Sequence, residues 1–342
     1  MEKELERYSR QILFAGIGEE GQRKLRGSKV LLVGCGALGS NIANTMVRAG
    51  VGKLTIVDRD FLELNNLQRQ VMFDEEDVAA SLPKAVAAAR KLRKINSQVE
   101  VEPLVADVNP GNIEALVRDA DLVMDGTDNF ETRYLINDAC VSLGKPWVYG
   151  GVLASYGVSM TIVPHETSCL RCIFAESPPP GTTPTCDTAG VLASIAAVVA
   201  NIQCAEALKL LTGARDRINK GMIWIDLWEN SFERLLGGQI GENCPCCVQG
   251  RYEFLEAREG TRTTSMCGRD AIQVSVRGGG SVSFPDLAAR LQGAGKVQYN
   301  EYMLRFQVDD YELIVFPDAR TLVKGVTDEA MARTLFARYV GV

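Results

Sequence analysis

Four cysteines occur as two C-x-x-C pairs, a spacing that is typical of thiolate metal sites. Cys169 and Cys172 form the first pair, and Cys244 and Cys247 form the second, far downstream. Four such thiolates suit a structural tetrahedral zinc site, and the long gap means that the metal would join two distant loops. Reduced free thiols or a redox pair are the alternatives. Because Cys246 lies next to Cys247, the sequence leaves the fourth ligand open between them.

A glycine-rich turn between two predicted strands indicates a nucleotide site. Gly34, Gly36 and Gly39 fit the pattern G-x-G-x-x-G, which follows an apolar strand and opens a helix. Glycines allow a phosphate to approach the backbone, and the unpaired N–H groups of the helix N-terminus attract its charge. Asp58 ends the next strand about 20 residues further on, where a carboxylate can hold a ribose hydroxyl. This unit predicts a nucleotide but does not distinguish NAD from ATP.

Further polar residues follow predicted strands or open helices in the same part of the chain. Asn66 and Arg69 are one helical turn apart, so both can contact one phosphate group. Lys84 lies near a helix N-terminus, where its charge opposes the helix dipole, so it is either solvated or directed at an anion. Asp128 and Asn129 follow a buried strand, at the end of the sheet where open α/β proteins bind ligands.

Cys186 ends a loop that is rich in proline, glycine and threonine. The loop composition predicts an extended segment, so the thiol is exposed enough to act as a nucleophile. The alternative is a cysteine that precedes a helix by chance. That helix, predicted over Thr188 to Leu211, is apolar on nearly all sides and is therefore expected in the core or in an oligomer interface.

The order of the elements that carry these residues predicts an α/β fold. Strands and helices alternate along most of the chain, which is typical of a Rossmann-like domain with a mixed, mostly parallel sheet. The adjacent strands Trp147 to Val152 and Val158 to Val163 turn that sheet antiparallel. We predict an adenine-nucleotide or dinucleotide domain over residues 1–250, a charged linker over 251–264 and a small α+β domain over 265–342.

Composition argues against several classes of protein. The chain has 342 residues, 46% of them hydrophobic, with a net charge of −6 and a pI near 5.2, which argues against nucleic acid as a partner. The longest apolar run, Ala189 to Ala200, is too short to span a bilayer, and no signal peptide begins at Met1, so we expect a cytoplasmic protein without membrane contact. A single histidine, His165, makes a Ser-His-Asp or Cys-His site a poor explanation.

Over about residues 1–250 the chain resembles the MoeB/ThiF/HesA family, the bacterial relatives of ubiquitin-activating enzymes. The resemblance rests on motifs that occur in the family's order: Arg7-Tyr8-Ser9-Arg10-Gln11, Gly34 to Gly39, Asp58-x-Asp60, Asn66-Leu67-Gln68-Arg69-Gln70, Pro83-Lys84, Gly126-Thr127-Asp128-Asn129 and both cysteine pairs. Ala37 stands where glycine is common in the family, and Asn65 stands where serine is frequent. Neither departure removes a charged group.

The resemblance implies an enzyme that binds ATP with Mg²⁺ and a small β-grasp sulfur-carrier protein ending in Gly-Gly, of the ThiS or MoaD type. The carrier's terminal carboxylate would attack the α-phosphate, giving an acyl-adenylate and pyrophosphate, and the carrier would later become a thiocarboxylate. A homodimer and a sulfur donor of the cysteine desulfurase or rhodanese type are also implied. Many cations and one histidine suit this chemistry, because a phosphoryl transition state needs positioning and charge more than an acid–base pair.

The resemblance also implies a role for each candidate residue. It assigns nucleotide contacts to the glycine turn and the strand ends: Gly34, Gly36, Ala37, Gly39, Asp58, Asp60, Asn66, Arg69, Lys84, Asp128 and Asn129. Within this set, Asp58 would hold the ribose, Asp128 would hold Mg²⁺, and the cations together with Asn66 would contact the phosphates. Arg10 would reach the phosphates of the neighbouring subunit. Zinc would bind Cys169, Cys172, Cys244 and Cys247, and Cys186 matches the family's reactive cysteine.

Two other functions stay open at this point. An NAD-dependent oxidoreductase would explain the glycine turn and Asp58, but it leaves Arg69, Lys84 and the cysteine pairs without a role. The same fold could also activate a different carboxylate, such as a peptide C-terminus or another ubiquitin-like protein.

Overall fold

A computed structural model describes residues 3–177, 184–235, 239–256, 262–266, 271–275 and 281–341. The middle of the predicted proline- and glycine-rich loop, residues 178–183, lies outside this description. The chain divides into two compact units, Met1–Ala257 and Arg258–Val342. Each unit has its own sheet and its own apolar core.

The first unit contains an eight-stranded sheet surrounded by helices. Its strands are β1 (Lys29–Val33), β2 (Lys53–Val57), β3 (Glu100–Leu104), β4 (Leu122–Asp125), β5 (Trp147–Leu153), β6 (Tyr156–Ile162), β7 (Met222–Asp226) and β8 (Ser231–Leu235). Its α-helices are α1 (Ser9–Ile12), α2 (Gly18–Gly27), α3 (Ala37–Ala49), α4 (Glu75–Ala79), α5 (Lys84–Ile95), α6 (Ile113–Arg118), α7 (Phe130–Ser142), α8 (Leu170–Ile173), α9 (Cys186–Ala189), α10 (Ala193–Thr212) and α11 (Glu253–Glu256). Short 3₁₀ helices cover Lys3–Tyr8, Leu64–Asn66 and Arg215–Arg217.

The sheet has the strand order β3-β2-β1-β4-β5-β6-β7-β8. Its first five strands are parallel, and β6, β7 and β8 each pair antiparallel with the strand before them. Val33, the last residue of β1, pairs with Val57 of β2 on one side and with Asp125 of β4 on the other. The carboxyl ends of three strands therefore meet at one edge. The predicted α/β fold with a mixed, mostly parallel sheet is confirmed.

The apolar residues of β1 suit its interior position in the parallel part of this sheet. Leu31, Leu32 and Val33 are all buried, as expected for a parallel strand that helices cover on both faces. α3 follows β1 and ends at Ala49, and the next residue, Gly50, has a φ of +83°, the left-handed conformation that favours glycine after a helix. The first residue of α3 is Ala37, so this helix begins within the predicted glycine turn.

Helix α10 begins at Ala193, later than the predicted start at Thr188. The chain before it forms the one-turn helix α9, and Val191 then makes a parallel bridge with Ala154. Because this bridge uses the backbone in an extended conformation, a continuous helix cannot form across it. α10 packs against α3, β5 and β6. Among the described residues it is the one helix long and apolar enough to cross a membrane, and half of it is buried inside the protein.

The second unit is an antiparallel sheet with two helices. Its elements are β9 (Arg262–Met266), β10 (Ala271–Ser275), α12 (Phe284–Leu291), β11 (Lys296–Tyr299), β12 (Leu304–Val308), β13 (Tyr311–Val315), β14 (Thr321–Lys324) and α13 (Glu329–Tyr339). The strand order is β11-β12-β13-β14-β10-β9. Alternate strand residues such as Phe306 and Val323 pack against helix residues such as Leu287 and Leu335.

The segment predicted as a linker, residues 251–264, contains regular structure at both ends. Phe254 of α11 stacks on Tyr134 of α7 with ring centroids 4.8 Å apart. Arg262–Met266 forms β9, which pairs with β10 in the second sheet. The sequence did not predict these elements because the segment is mostly charged. One aromatic contact and one edge strand produce no regular spacing of apolar residues.

Candidate nucleotide site and cysteine cluster

The glycine turn brings three stretches of backbone together. Gly34 has a φ of +86°, and a Cβ there would lie 2.7 Å from the carbonyl oxygen of Gly126. A Cβ on Gly39 would lie 2.0 Å from the carbonyl oxygen of Gly34. Both positions therefore require glycine. Gly36 differs, because a Cβ there would meet only Gln70 Nε2 at 3.9 Å, so this glycine leaves open space beside the turn.

The turn lies where the direction of the chain through the sheet reverses. From β1 the chain moves outward to β2 and β3, and it then returns to β4 on the other side of β1. In open α/β sheets a crevice forms at this reversal, outside the carboxyl ends of the strands. The predicted residues that follow β1, β2 and β4 are thereby brought to one edge.

Asp58 ties the ends of β1 and β2 together. Its two carboxylate oxygens accept the backbone N–H of Cys35 at 2.6 Å and of Asp60 at 2.7 Å. The pKa of the Asp58 carboxyl is raised overall because the group is buried, although the nearby charge of Lys84 partly offsets this shift. Each oxygen retains a lone pair, so the carboxylate could also accept hydroxyl groups of a ribose.

Lys84 and Asp60 form a buried ion pair beside this carboxylate. Lys84 Nζ lies 3.0 Å from Asp60 Oδ2, and the lysine side chain is only 5% exposed. The backbone N–H of Lys84 also donates to the carbonyl of Asp60, which fixes the start of α5 at the crevice. The sequence left Lys84 either solvated or directed at an anion, and the structure excludes the solvated alternative.

Arg59 is a charged residue that the sequence reasoning did not single out. Its guanidinium lies 2.9 Å from Asp107, which follows β3, and 4.0 Å from Asp60. Burial lowers the pKa of Arg59, but the carboxylates of Asp107, Asp60 and Asp128 raise it overall. Its position between Asp58 and Asp60 is the signal that could have identified it.

The segment with Asn66 and Arg69 forms a tight turn. Asn66 is fully buried, and its side chain accepts the N–H of Glu63 and donates to Asn65. One N–H of its amide is left for another acceptor. Arg69 is half-buried, and its guanidinium donates to the carbonyl of Asn65 at 2.8 Å without a carboxylate partner among the described residues. The turn therefore presents an arginine whose charge is not neutralised by the described part of the chain.

Gln70 supplies an independent sign that a ligand binds here. Its side chain is 3% exposed, and its Oε1 has no hydrogen-bond partner among the described residues. Buried polar atoms normally have partners, so the unpaired Oε1 leaves an acceptor for a donor of the ligand, and Nε2 of the same amide faces the open space at Gly36. The residues at this edge thus fit a nucleotide.

The turn after β4 is held by a buried ion pair that sequence reasoning missed. Arg133 Nε lies 3.2 Å from Asp125 Oδ2, and Arg133 Nη2 donates to the carbonyls of Thr127 and Gly150. Thr127 donates from its N–H and its hydroxyl to the other oxygen of Asp125. Gln203 of α10 donates to the backbone carbonyl of Asp125. Burial raises the pKa of Asp125, and Arg133 lowers it.

This network presents Asp128 to solvent at the carboxyl edge. Asp128 is exposed, whereas Asn129 caps α7 by accepting the N–H of Thr132 at 2.9 Å. Asn129 therefore has a structural role that its position beside Asp128 did not reveal.

Arg10 lies on α1, away from the contacts described so far. Its side chain is exposed and makes no hydrogen bond or ion pair with another described residue. The next residue, Gln11, anchors the helix by donating to Gln22 and to the carbonyl of Ala49. Leu13 and Phe14 follow and are 73% and 66% exposed.

Cys186 is the first residue of α9 and is half-buried. Its Sγ lies 3.6 Å from the carbonyl oxygen of Val152 near the end of β5. The thiols of Cys35 and Cys140 are fully buried, and burial raises the pKa of each, so neither suits a nucleophile. Among these three thiols, Cys186 is the accessible one.

The four predicted metal ligands lie together. The sulfur atoms of Cys169, Cys172, Cys244 and Cys247 are all within 4.8 Å of one another. Cys169 lies 3.5 Å from Cys244, and Cys172 lies 3.4 Å from Cys247. Cys246 lies outside the group, with Asn137 donating to its sulfur at 3.3 Å. The structure therefore favours Cys247 as the fourth ligand of a cluster that could hold a metal ion.

The fold and the site together define a nucleotide-binding α/β protein with a four-thiol cluster. The ThiF family model matches residues 8–246, and the chain belongs to this family. It is 41% identical over 337 residues to the sulfur carrier protein ThiS adenylyltransferase of Bacillus subtilis, covering 98% of this chain and 99% of that protein. It is 40% identical over 253 residues to the SAMP-activating enzyme E1 of Haloferax volcanii, covering 74% and 92%.

A solved structure and a third sequence relative agree with this family assignment. E. coli MccB with ATP superimposes with a TM-score of 0.62 at 25% identity, covering 72% of this chain and 75% of that chain. A third relative, the sulfur carrier protein adenylyltransferase of Thermus thermophilus, is 39% identical over 251 residues, 72% of this chain and 91% of that protein. The chain is thus an enzyme of the adenylyltransferase class, a nucleotidyltransferase.

Replacing Arg133 with methionine should destabilise the first unit by about 3–5 kcal/mol, because it leaves the carboxylate of Asp125 buried and unpaired. Urea unfolding monitored by circular dichroism measures this free energy. Arg23→Met is the matched control, since Arg23 forms an exposed ion pair with Glu19 worth about 1 kcal/mol or less. Equal losses in both variants would show that the buried pair does not support the turn.

Proposed function

We propose that this enzyme activates the C-terminal carboxylate of a β-grasp sulfur-carrier protein as an acyl-adenylate. One observation carries the proposal: the glycine turn after β1 and the carboxylate of Asp58 after β2 lie at one edge of the sheet, with the Lys84–Asp60 ion pair nearby. Arg69 would add a second cation from the turn that precedes Gln70, whose Nε2 faces Gly36. Relatives that act on sulfur-carrier proteins, one of them similar along nearly the whole chain, support a sulfur-carrier protein as the substrate. A Gly-Gly end on that carrier remains part of the proposal.

The proposed reaction needs no acid–base pair. A carboxylate oxygen of the carrier forms a bond to the α-phosphorus of ATP while the bond from that phosphorus to the bridging oxygen of pyrophosphate breaks. Negative charge increases on the transferred and leaving phosphate groups, so oriented cations and N–H donors lower the barrier. In the proposal Arg69 and Lys84 supply the cations, and Asn66 supplies its remaining N–H.

The other candidate residues orient the nucleotide. Asp58 would accept the ribose hydroxyls, and Gly36 and Ala37 would lie against the nucleotide, where the open space beside Gly36 supports a close approach. Asp60 would align Lys84 through their ion pair. Asp128 would hold Mg²⁺, which neutralises phosphate charge when bound, and the exposed position of Asp128 supports this role.

Arg10 would complete the site of a neighbouring subunit in a homodimer. The exposed Leu13 and Phe14 beside it support burial of this segment in an interface. We place the reaction in the cytoplasm and propose a cysteine desulfurase or a rhodanese-type protein as the sulfur donor. The pathway that uses the resulting thiocarboxylate, in thiamine, molybdopterin or related sulfur metabolism, follows from which carrier binds.

Cys186 would take the activated carrier from the adenylate. Its thiolate attacks the acyl carbon, the bond from that carbon to the phosphate oxygen of AMP breaks, and AMP leaves while the carrier remains attached as a thioester. The half-buried position of the thiol supports access to a protein substrate.

The four-thiol cluster would hold a structural Zn²⁺. A tetrahedral site with metal–sulfur bonds of about 2.3 Å places its sulfurs roughly 3.8 Å apart, and several pairs in this cluster lie 3.4 to 3.8 Å apart. Four thiolates leave no open position, so the ion would not take part in catalysis.

Activation of a different carboxylate by the same site is the second candidate. MccB has been solved in complex with N-formylated MccA, which supports some variety of substrate on this fold. An NAD-dependent oxidoreductase is disfavoured by membership of the ThiF family.

ATP–pyrophosphate exchange tests the main proposal with a panel of ThiS-like and MoaD-like carriers, each intact and without its terminal glycine. Exchange should occur with an intact carrier only. Arg69→Ala and Asp128→Ala should each lower the rate by about 100-fold or more, whereas Arg217→Ala, an exposed control, should stay within about twofold. Exchange with no carrier, by enzyme that binds ATP, would favour another carboxylate. Failure to bind ATP would overturn the nucleotide assignment.

Cys186→Ser should retain pyrophosphate exchange but lose the covalent carrier adduct, because the serine hydroxyl is a far weaker nucleophile than a thiolate. Mass spectrometry of the enzyme incubated with ATP and carrier detects the adduct. Cys204→Ser, which changes a buried cysteine in α10, should keep it. An adduct of undiminished yield in Cys186→Ser would assign the covalent step elsewhere.

The purified protein should contain one zinc ion per chain by inductively coupled plasma mass spectrometry. Cys172→Ser should lose most of this zinc, since it removes one of four ligands. Cys204→Ser again serves as the control and should retain the metal. Zinc-free wild-type protein with full stability would show that the cluster is a set of free thiols.

A further inference from the structure

We propose that Asn137 positions both cysteine pairs and keeps Cys246 out of the coordination shell of the metal. This inference rests on the proposed zinc site. It concerns a residue of α7 that lies outside both cysteine pairs, and it addresses a choice that the sequence leaves open. The run Cys244-Pro245-Cys246-Cys247 offers three thiols, of which two can complete the site.

The two ends of the Asn137 amide contact different cysteine segments. Its Nδ2 donates to the sulfur of Cys246 at 3.3 Å. Its Oδ1 accepts the backbone N–H of Leu170 at 2.9 Å, and Leu170 directly follows Cys169. Asn137 is fully buried, so both hydrogen bonds are shielded from water. One side chain therefore sets the distance from α7 to each cysteine pair.

The hydrogen bond to Cys246 explains how the site chooses between neighbouring thiols. Cys246 is fully buried against α7, whereas the sulfur of Cys247 lies 3.4 Å from that of Cys172. A donated N–H occupies a lone pair on the sulfur of Cys246 and fixes its rotamer. Asp138, the next residue of α7, also hydrogen-bonds to the side chain of Cys246. Asn137 and Asp138 together therefore hold this thiol against α7, and loss of the Asn137 bond weakens the restraint that keeps Cys246 from competing with Cys247 for the metal.

The next residue of α7 strengthens the same attachment. Asp138 accepts the backbone N–H of Phe254, which follows the second cysteine pair, at 3.0 Å. Asn137 thus contacts the two segments that carry the cysteine pairs, and Asp138 contacts the segment that follows the second pair. Polar groups that orient metal ligands typically change metal affinity by about 10- to 100-fold when removed.

Metal release tests this role in the full-length, zinc-loaded protein. The zinc released to 4-(2-pyridylazo)resorcinol is followed by absorbance, and Asn137→Ala should release it at least about tenfold faster than the wild type. Asn137→Asp keeps the size of the side chain and an acceptor for Leu170 but removes the N–H donor, so it should also release zinc faster. Cys246→Ala should keep one zinc per chain and release it within about twofold of the wild-type rate.

Asn96→Ala is the matched control. Asn96 is equally buried in the first unit, and its amide donates to Tyr8 and to the carbonyl of Val47, away from the cysteines. It should lower stability without accelerating zinc release. Release from both Asn137 variants at the rate of Asn96→Ala would overturn the role of Asn137, and loss of zinc from Cys246→Ala would overturn the choice of Cys247. Wild-type protein without zinc would instead refute the zinc assignment on which the inference rests.

Discussion

The carboxyl edge of the sheet depends on a backbone approach that only glycine permits. The carbonyl oxygen of Gly34 lies so close to Gly39 and Gly126 that a Cβ on either would overlap it, at 2.0 and 2.4 Å. This contact brings the β1 turn against the β4 turn, while the N–H of Cys35 bonds to Asp58 at the end of β2. Three strand ends are thereby locked to one another before any ligand binds. A preorganised edge of this kind lowers the conformational cost of binding a nucleotide.

The most deeply buried charges at this edge form an ion pair. Asp125 and Arg133 lie inside the first unit, and nearly every polar atom of the pair has a partner in the backbone or in Thr127. Such a pair adds little net stability over an apolar packing, but it fixes geometry because either partner alone would be costly. Arg69 and Asp128, by contrast, remain at the surface of the edge. The buried pair fixes the conformation of the backbone turn after β4, whereas Arg69 and Asp128 remain accessible to a substrate.

The sequence was sufficient to predict the sheet, the glycine turn and the cysteine cluster, because each has a short-range pattern that physics ties to one conformation. Local patterns could not reveal Arg133 or Gln203, whose partners lie on other elements. They also missed the break before α10, since an apolar run does not show that Val191 pairs with Ala154. Contacts between residues on different elements of the fold leave no trace in the spacing of apolar residues. The hydrogen bonds of Arg133 and Gln203 that hold the turn after β4 are contacts of this kind.

The position of the cysteine cluster follows from the topology between its two pairs. Cys169 and Cys244 are 75 residues apart, and the chain between them contains Cys186, α10 and the last two strands of the sheet. A metal ion held by the four thiols would cross-link a loop of this length and would remove about 4.5 kcal/mol of chain entropy from the unfolded state. The segment leading to Cys186 starts next to the first cysteine pair, where the hydroxyl of Tyr134 of α7 donates to the carbonyl of Phe174. α7 therefore contacts the turn after β4 through Arg133 and the segments that carry the two cysteine pairs through Asn137, so one helix connects the two candidate sites.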